Sequence, residues 1–355
     1  MTDGIQRGPA GGKPSVALIA VVSDEAAYVA EFVFHHLHFG FAPIFLYVNN
    51  SADQTAAILR RIAAVHPQVV PILDDGMRAS VSPETFQTRA YERIVREHCL
   101  PRPGLDYVAI LDVDEFWTPV DLSTSVHTWL TAIGRPDIAQ VNWFIPDNDD
   151  ALFHLALTDD VAGHHHILVK SLWRVRQPFT RITPHGLHGL APDCRTFSEA
   201  PMVAGTARTD ELPPAMGGAT IVHRMYRSPA EYVSLLGRGN PDDAAPFKRN
   251  RQGYRFYRTW QTNPRRHVLA VPPEFRRMWR TSYDAFVERC GIGELVAAGR
   301  ADALRRAVTT VTRFAAMNAD EAAPFQNAFR GVSREDVLRI AGANGVEIPA
   351  EAGGR

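Results

Sequence analysis

Between residues 16 and 144, short unbroken apolar runs alternate with stretches that repeat at helical spacing. Val16 to Val22 and Ile44 to Val48 are continuous apolar segments of strand length, the pattern of strands covered on both faces. Between them, Ala26, Ala30, Val33, Phe34 and Leu37 recur at helical spacing, and Gly40 is placed to end that helix. Ser51-Ala52-Asp53-Gln54 has capping-box spacing ahead of Ile58, Leu59, Ile62 and Val65 on one helix face. Val69 to Leu73 supplies a third strand. Ser82-Pro83 opens another helix, with Tyr91, Ile94, Val95 and His98 along one side. A strand from Tyr107, a short helix over 125–133 and a strand over 139–144 follow. Sustained alternation of this kind predicts an α/β fold with a mainly parallel central sheet covered on both faces.

The pattern loosens beyond Asp147. Residues 191–220 are rich in Pro, Gly and Ala and read as a long loop or lid. Helical spacing returns at 274–289, 301–316 and 333–343, which predicts a helical C-terminal extension over 266–355 behind a main domain over 15–265. Residues 1–14 show no periodicity and read as a mobile tail.

At 355 residues the chain can bury a large core. Acids and bases nearly cancel, 39 against 38, so no global field favours a nucleic-acid partner. The 3 cysteines lack disulfide-framework or zinc spacing, which fits a reducing cytoplasmic setting. No apolar run approaches the roughly 20 residues that cross a bilayer. Val16 to Val22 is short for a signal-peptide core, and Asp24 and Glu25 stand where small cleavage-site residues belong. One region departs from this balance. Residues 247–266 hold seven Lys or Arg and five aromatics without an acid. That mixture suits a peripheral grip on an anionic membrane, a phosphorylated acceptor, or a basic loop covering the core.

The chemistry concentrates where the apolar run from Tyr107 ends in Asp112, Asp114 and Glu115. The carboxyl edge of an α/β sheet is where ligands bind. Clustered carboxylates there repel one another, and a divalent cation is the usual remedy. Asp112 and Asp114 are two apart, so on a straight strand they point the same way. The reading is a D-x-D site holding Mn²⁺ or Mg²⁺ against a phosphorylated substrate; a solvated acidic turn is its alternative. Asp24, Glu25 and Asp53 fall at or just after the ends of the first two strands. Carboxylates there can bind the base and ribose of a nucleotide, or cap helices. Glu31, His35 and His38 share a helix stripe and read as a solvated polar face, with His36 packing or bonding locally. His164-His165-His166 alternate along a strand. Neither group reads as a zinc site.

Several motifs line up in order. Ser23-Asp24-Glu25 with Glu31 and His36 resembles a "K-N-E…E-W-x-x-y-H" start, and Val48 to Asp53 a "D-N-x-S-x-D" turn. Gln87 and Tyr91 fit "Q…a-Y", Asp112 to Phe116 fits "D-v-D-E-F", and Val141-Asn142-Trp143 fits "v-n-W". Lys170, Pro184-His185, and Ile221-Val222-His223 with Arg227-Ser228, Glu231-Tyr232 and Arg238-Gly239 complete the series. The chain thereby resembles family-2-like glycosyltransferases of the family 2/family 92 group, over roughly residues 16–240.

The resemblance implies a GT-A-like nucleotide-binding fold, a nucleotide-sugar donor, a glycan or other hydroxyl acceptor, and inverting transfer. It implies metal ligands at Asp112, Asp114 and His223. Donor contacts are implied at Asp24, Glu25, Asp53, Asp112, Arg227 and Arg238, the arginines facing the diphosphate. Asp24 and Asn49 exchange the usual Asn and Asp, and Arg224 replaces an aromatic. Ile145 to Asp150 replaces an "F-G-s-s-G"-like turn and supplies Asp147 and Asp149 as candidate catalytic bases. A haloacid-dehalogenase-type phosphatase, which also carries D-x-D after a strand, and a non-catalytic nucleotide-sugar-binding module are the competing readings.

Overall fold

A computed structural model of the chain describes residues 12–77, 83–147, 150–188, 194–203, 206–239, 245–256 and 265–348. Its central sheet runs β3 (Val69–Leu73), β2 (Ile44–Val48), β1 (Val16–Val22), β4 (Tyr107–Ile110), β7 (Val161–Arg174), β6 (Ile138–Pro146), β11 (Ala219–His223), β5 (Glu115–Pro119). The strands from β3 to β4 are mutually parallel, as are β6 and β11. β7 is antiparallel to both β4 and β6, and β5 to β11. β10 (Thr196–Ser198) adds to β6, and β12 (His267–Leu269) to β7. β8 (Arg181–Thr183) and β9 (Gly186–His188) form a separate hairpin.

The strand patterning explains the layers. Along β1, Leu18, Ala20 and Val22 join the core on one face, while Ala17 and Ile19 join the core on the other. The first core packs against α1 (Val29–His38), α2 (Thr55–Val65) and α6 (Pro273–Arg289), through Phe32, Ile58 and Trp279 among others. The second packs against α3 (Pro83–Ile94) through Phe86, Ala90 and Tyr91. α4 (Val126–Ala132) starts at Ser125, whose hydroxyl accepts from the Thr128 amide. α5 (Pro229–Leu236) opens with a Ser228–Glu231 capping box. α7 (Gly293–Ala315) and α8 (Arg334–Ala343) pack on α5. The α/β architecture with C-terminal helices is the one the sequence predicts.

The sheet has to curl. β4 ends at Ile110 and β5 begins at Glu115, yet β7, β6 and β11 stand between them in the sheet. In a flat sheet those four steps span about 19 Å. Five residue steps reach at most about 18 Å when fully extended. The connection is not extended, because the Glu115 amide donates to the Asp112 carbonyl at 2.9 Å. The edges of the sheet therefore approach each other, and residues 111–114 cross the mouth between them.

Three expectations change. Glu31 and His35 are not a solvated face: they are 6% and 0% exposed. α1 is covered by both the sheet and α6, and Glu31 pairs with Arg224 at 3.2 Å while accepting the Ala156 amide at 2.5 Å. Ser51 does not cap α2, which starts at Thr55; Asp53 Oδ1 accepts the Thr55 amide and hydroxyl instead. The stretch 191–220 holds β10 and the start of β11 as well as loop, with 191–193 and 204–205 outside the described residues. Residues 1–11 of the expected tail also lie outside them. Among the described residues, no helix is long and apolar enough to cross a membrane.

Candidate functional site

The turn at the sheet's mouth is organised by a lysine. The antiparallel register Ala109↔Leu172 carries Lys170 alongside Leu111, just past the end of β4. Its ammonium is fully buried and lies 2.7 Å from Glu115 Oε2, 3.1 Å from Asp112 Oδ2 and 2.8 Å from the Pro184 carbonyl. The Asp112 amide also donates to Glu115 Oε2 at 2.9 Å. Burial works against the charge on Lys170, but Asp112 and Glu115 outweigh it and keep the ammonium protonated above the usual lysine range. Glu115 Oε1 is buried and has no hydrogen-bond partner among the described residues.

Asp114 turns the other way. Its Oδ2 lies 3.5 Å from His223 Nε2, and its carbonyl accepts the Arg224 amide at 2.8 Å. Burial disfavours its carboxylate, but His223, Arg227 and Arg251 prevail and hold it well below the usual carboxylate range. His223 packs on Trp143 at 4.2 Å between ring centroids, and its Nδ1 is buried without a partner among the described residues. The two D-x-D carboxylates thus diverge, because the chain leaves the strand after Ile110 and turns.

Among the described residues, no group of three or more His, Cys, Asp or Glu side chains is arranged to hold an ion. Asp114 and His223 nevertheless present a carboxylate oxygen and an imidazole nitrogen side by side. That donor set fits a dication whose remaining positions are filled by phosphate oxygens and water, as is usual for Mg²⁺ at phosphate sites. Asp112, the third expected ligand, spends one oxygen on Lys170 while its side chain stays 38% exposed.

The loops after β1 and β2 are stitched together by the acids expected to bind donor. Asp24 Oδ1 accepts the Ala52 amide at 2.8 Å, and the Asp24 amide donates to Ser51 Oγ at 3.0 Å. Asp53 Oδ2 accepts the Ala26 amide at 2.9 Å. Glu25 pairs with Arg238 at 2.5 Å, and Arg238 also donates to the Ser23 carbonyl. Asp24 and Arg227 hold left-handed backbone, with φ of +53° and +52°. Such non-glycine conformations cost on the order of 1–2 kcal/mol each and collect at ligand sites. The Arg227 guanidinium lies 3.6 Å from the Tyr28 ring centroid, and its Nε is buried without a partner among the described residues.

The acidic turn meets the basic segment. Arg266 grips both oxygens of Asp147 at 2.8 Å, and His164 Nε2 lies 3.3 Å from Asp147 Oδ2. Asp150 takes Arg255 at 2.6 Å and the Tyr254 hydroxyl at 2.9 Å. Asp149 and residues 257–264 lie outside the described residues. Lys248 and Arg251 belong to the basic segment 247–266 that the sequence singles out, whereas Arg306 was missed; all three act on the charges of this rim. The one cue for Lys170 beyond the motif was its isolation within the apolar strand Ile167 to Trp173.

Compared with solved structures, the chain matches a mannosyltransferase, PcManGT from Pyrobaculum calidifontis in complex with GDP-Man and Mn²⁺. The identity is 13%, the match covers 94% of this chain and 87% of that one, and the TM-score is 0.31. A likeness at that level says nothing of what this chain binds. No model of a known protein family matches the chain, and no curated protein does.

Proposed function

We propose that the chain is a glycosyltransferase that moves a sugar from a nucleoside-diphosphate donor to an acceptor hydroxyl. The observation that carries this reading is the Asp114–His223 pair at the mouth of a curled α/β sheet, with arginines beside it. Asp114 and His223 would hold Mn²⁺ or Mg²⁺, which supplies positive charge beside the departing diphosphate. Asp112, fixed by Lys170, keeps an exposed oxygen for a ribose hydroxyl. Asp24, Glu25 and Asp53 order the two loops that border the nucleotide. Arg227 and Arg238 neutralise the diphosphate, and the Arg227 Nε has no partner among the described residues.

In an inverting transfer, the acceptor oxygen bonds to the anomeric carbon as the bond to diphosphate breaks. A carboxylate takes the acceptor proton. Asp147, once released by Arg266, and Asp149 are the proposed bases. The Lys170–Asp112 bond also suits a haloacid-dehalogenase-type phosphatase with Asp112 as nucleophile. Two assays separate the readings. Glycosyl transfer that needs Mn²⁺ and Asp114 supports the first; phosphate release from p-nitrophenyl phosphate that needs Asp112 supports the second.

A further inference from the structure

The tip of the β8–β9 hairpin is pinned to the mouth of the sheet. Ile182 is buried in the core behind it, and Leu187 packs against that core. At the tip, the Pro184 carbonyl accepts from the Lys170 ammonium at 2.8 Å, and the His185 carbonyl accepts from Ser171 Oγ at 2.9 Å. Gly186 permits this approach, since a Cβ there would lie 2.6 Å from Ser171 Oγ. The His185 ring adds a third bond, to the Val169 carbonyl. Val169, Lys170 and Ser171 of β7 thus fix what the turn presents, and that is His185.

His185 is held as a hydrogen-bond acceptor. Its Nδ1 lies 3.2 Å from the Val169 carbonyl, which can only accept, so the ring carries its proton on Nδ1. Nε2 then offers a lone pair. This nitrogen has no partner among the described residues and is not sealed from solvent, the residue being only half-buried. Burial and the Lys170 ammonium push the ring down to about 4, so it is uncharged near neutral pH. The same ammonium makes this a poor place for a metal ion. The partner that fits is a neutral donor such as a hydroxyl.

The position of the ring relates it to the site. The pairing of β6 with β7 shifts register between Asn142 and Phe144, which breaks the ladder at Trp143. Irregularities of this kind re-aim a side chain beside an active site. The Trp143 indole lies 5.1 Å from the His185 ring and 4.2 Å from the His223 ring, centroid to centroid. His185 and the Asp114–His223 pair therefore flank one indole. His185 has Lys170 and Asp112 as charged neighbours, whereas Arg227 and Arg251 act on Asp114. The scheme above gives contacts to the ribose, the diphosphate and the acceptor proton, and none to the sugar rings.

We infer that His185 Nε2 accepts a hydrogen bond from a sugar hydroxyl beside the Asp114–His223 pair, and that the β8–β9 hairpin is the element that selects the sugar. That the hydroxyl belongs to a sugar rests on the glycosyltransferase reading, whereas the open acceptor at the mouth does not. The ring in question is the one carried by the donor or the one on the acceptor, and binding separates them.

Calorimetry in Mn²⁺ compares UDP-glucose, UDP-galactose, UDP-N-acetylglucosamine and GDP-mannose with UDP and GDP. A second series titrates the methyl glycosides of the same sugars with UDP or GDP present. Asparagine reproduces the Nδ1 of histidine and glutamine its Nε2, so His185→Asn keeps the bond to Val169 and loses the open acceptor, while His185→Gln does the reverse. His185→Asn weakens the sugar-bearing probe about tenfold and leaves the bare nucleotide unchanged; His185→Gln recovers most of the loss. His188→Asn, at the far end of β9, binds as wild type does. Loss with the nucleotide sugar places the hydroxyl on the donor; loss with the methyl glycoside alone places it on the acceptor. Among monodeoxy analogues of the bound sugar, one loses as much against wild type and nothing further against His185→Asn. Thermal melts near that of wild type certify the variants as folded. A merely structural His185 gives the opposite order, with His185→Gln worse than His185→Asn, and overturns the inference. So do nucleotide sugars and glycosides that bind wild type and His185→Asn equally, which leaves the donor reading standing. Glycosides that need Nε2 while no nucleotide sugar binds keep the hydroxyl site and remove the donor reading. Wild type that binds none of these probes removes both.

Discussion

Lys170 Nζ lies 2.7 Å from Glu115 Oε2, with neither side chain exposed to solvent. The same ammonium holds Asp112 and the Pro184 carbonyl, so the acidic turn is set by a cation of the protein itself. Asp112 is aimed differently from Asp114.

Removing that cation leaves Asp112 without its partner and leaves Glu115, whose carboxyl burial already pushes up to about 8, buried with no cation beside it. Lys170→Met should therefore cost about 3–5 kcal/mol, the range for breaking a buried pair on one side. Urea denaturation measures it. The double variant Lys170→Met/Glu115→Gln should regain part of the loss, since the buried acid left without its cation is replaced by a neutral amide. A Lys170→Met protein as stable as wild type contradicts the assignment.

The two aspartates should separate by function. Asp114→Ala should weaken Mn²⁺-dependent donor binding by about a hundredfold or more, because it removes half of the Asp114–His223 face. Asp112→Asn should keep the metal dependence while raising the donor KM. Mn²⁺ titrations at fixed donor distinguish them, and equal metal affinity in both variants would remove the distinction.

The acidic turn offers a direct comparison. If Asp147 takes the acceptor proton, Asp147→Asn lowers kcat by about 10²-fold or more with donor affinity kept. If Asp149 does so, Asp149→Asn gives that result and Asp147→Asn mainly loosens Arg266. Loss in neither variant removes this turn as the source of the base.

Acid should destabilise the fold through His36. Its Nδ1–H donates to the Phe32 carbonyl at 2.8 Å, and its Nε2 accepts the Trp117 amide at 3.3 Å, so only the neutral ring fits. Burial pushes its pKa down to about 3 from 6.5. Between those values the unfolded chain binds a proton that the folded chain refuses, so stability falls as pH drops below 6.5. Each pH unit is worth up to about 1.4 kcal/mol. Denaturant melts from pH 7.5 to 4.5 should show at least that slope, because His35, His165, His166 and His185 are also held low by burial, and His36→Phe should reduce it by about one group's share. An identical slope in the variant refutes the contribution.

Much of the scaffold was legible because local pattern determined it. β1, β2 and β3 are the apolar runs themselves, and α4 begins at the serine that caps it. The placement of β5 was not legible. A strand that starts five residues after β4 ends, yet lies beyond three others, depends on the curl of the whole sheet. His35 and Glu31 misled for a related reason: Trp279, more than two hundred residues away, covers the face that spacing left open. The acidic motif showed which residues carry charge, but not that Lys170 would claim Asp112 and leave Asp114 to His223. Composition singled out the basic segment 247–266, but not that Lys248 and Arg251 would act on Asp114.

The most direct test of the central claim is a thermal-shift screen of nucleotide sugars against wild type and Asp114→Ala, with Mn²⁺ and with EDTA. The account predicts that at least one nucleoside-diphosphate sugar raises the melting temperature of wild type in Mn²⁺, with the shift lost in EDTA and in Asp114→Ala. A shift of equal size in all four conditions, or none with any donor in Mn²⁺, would contradict it.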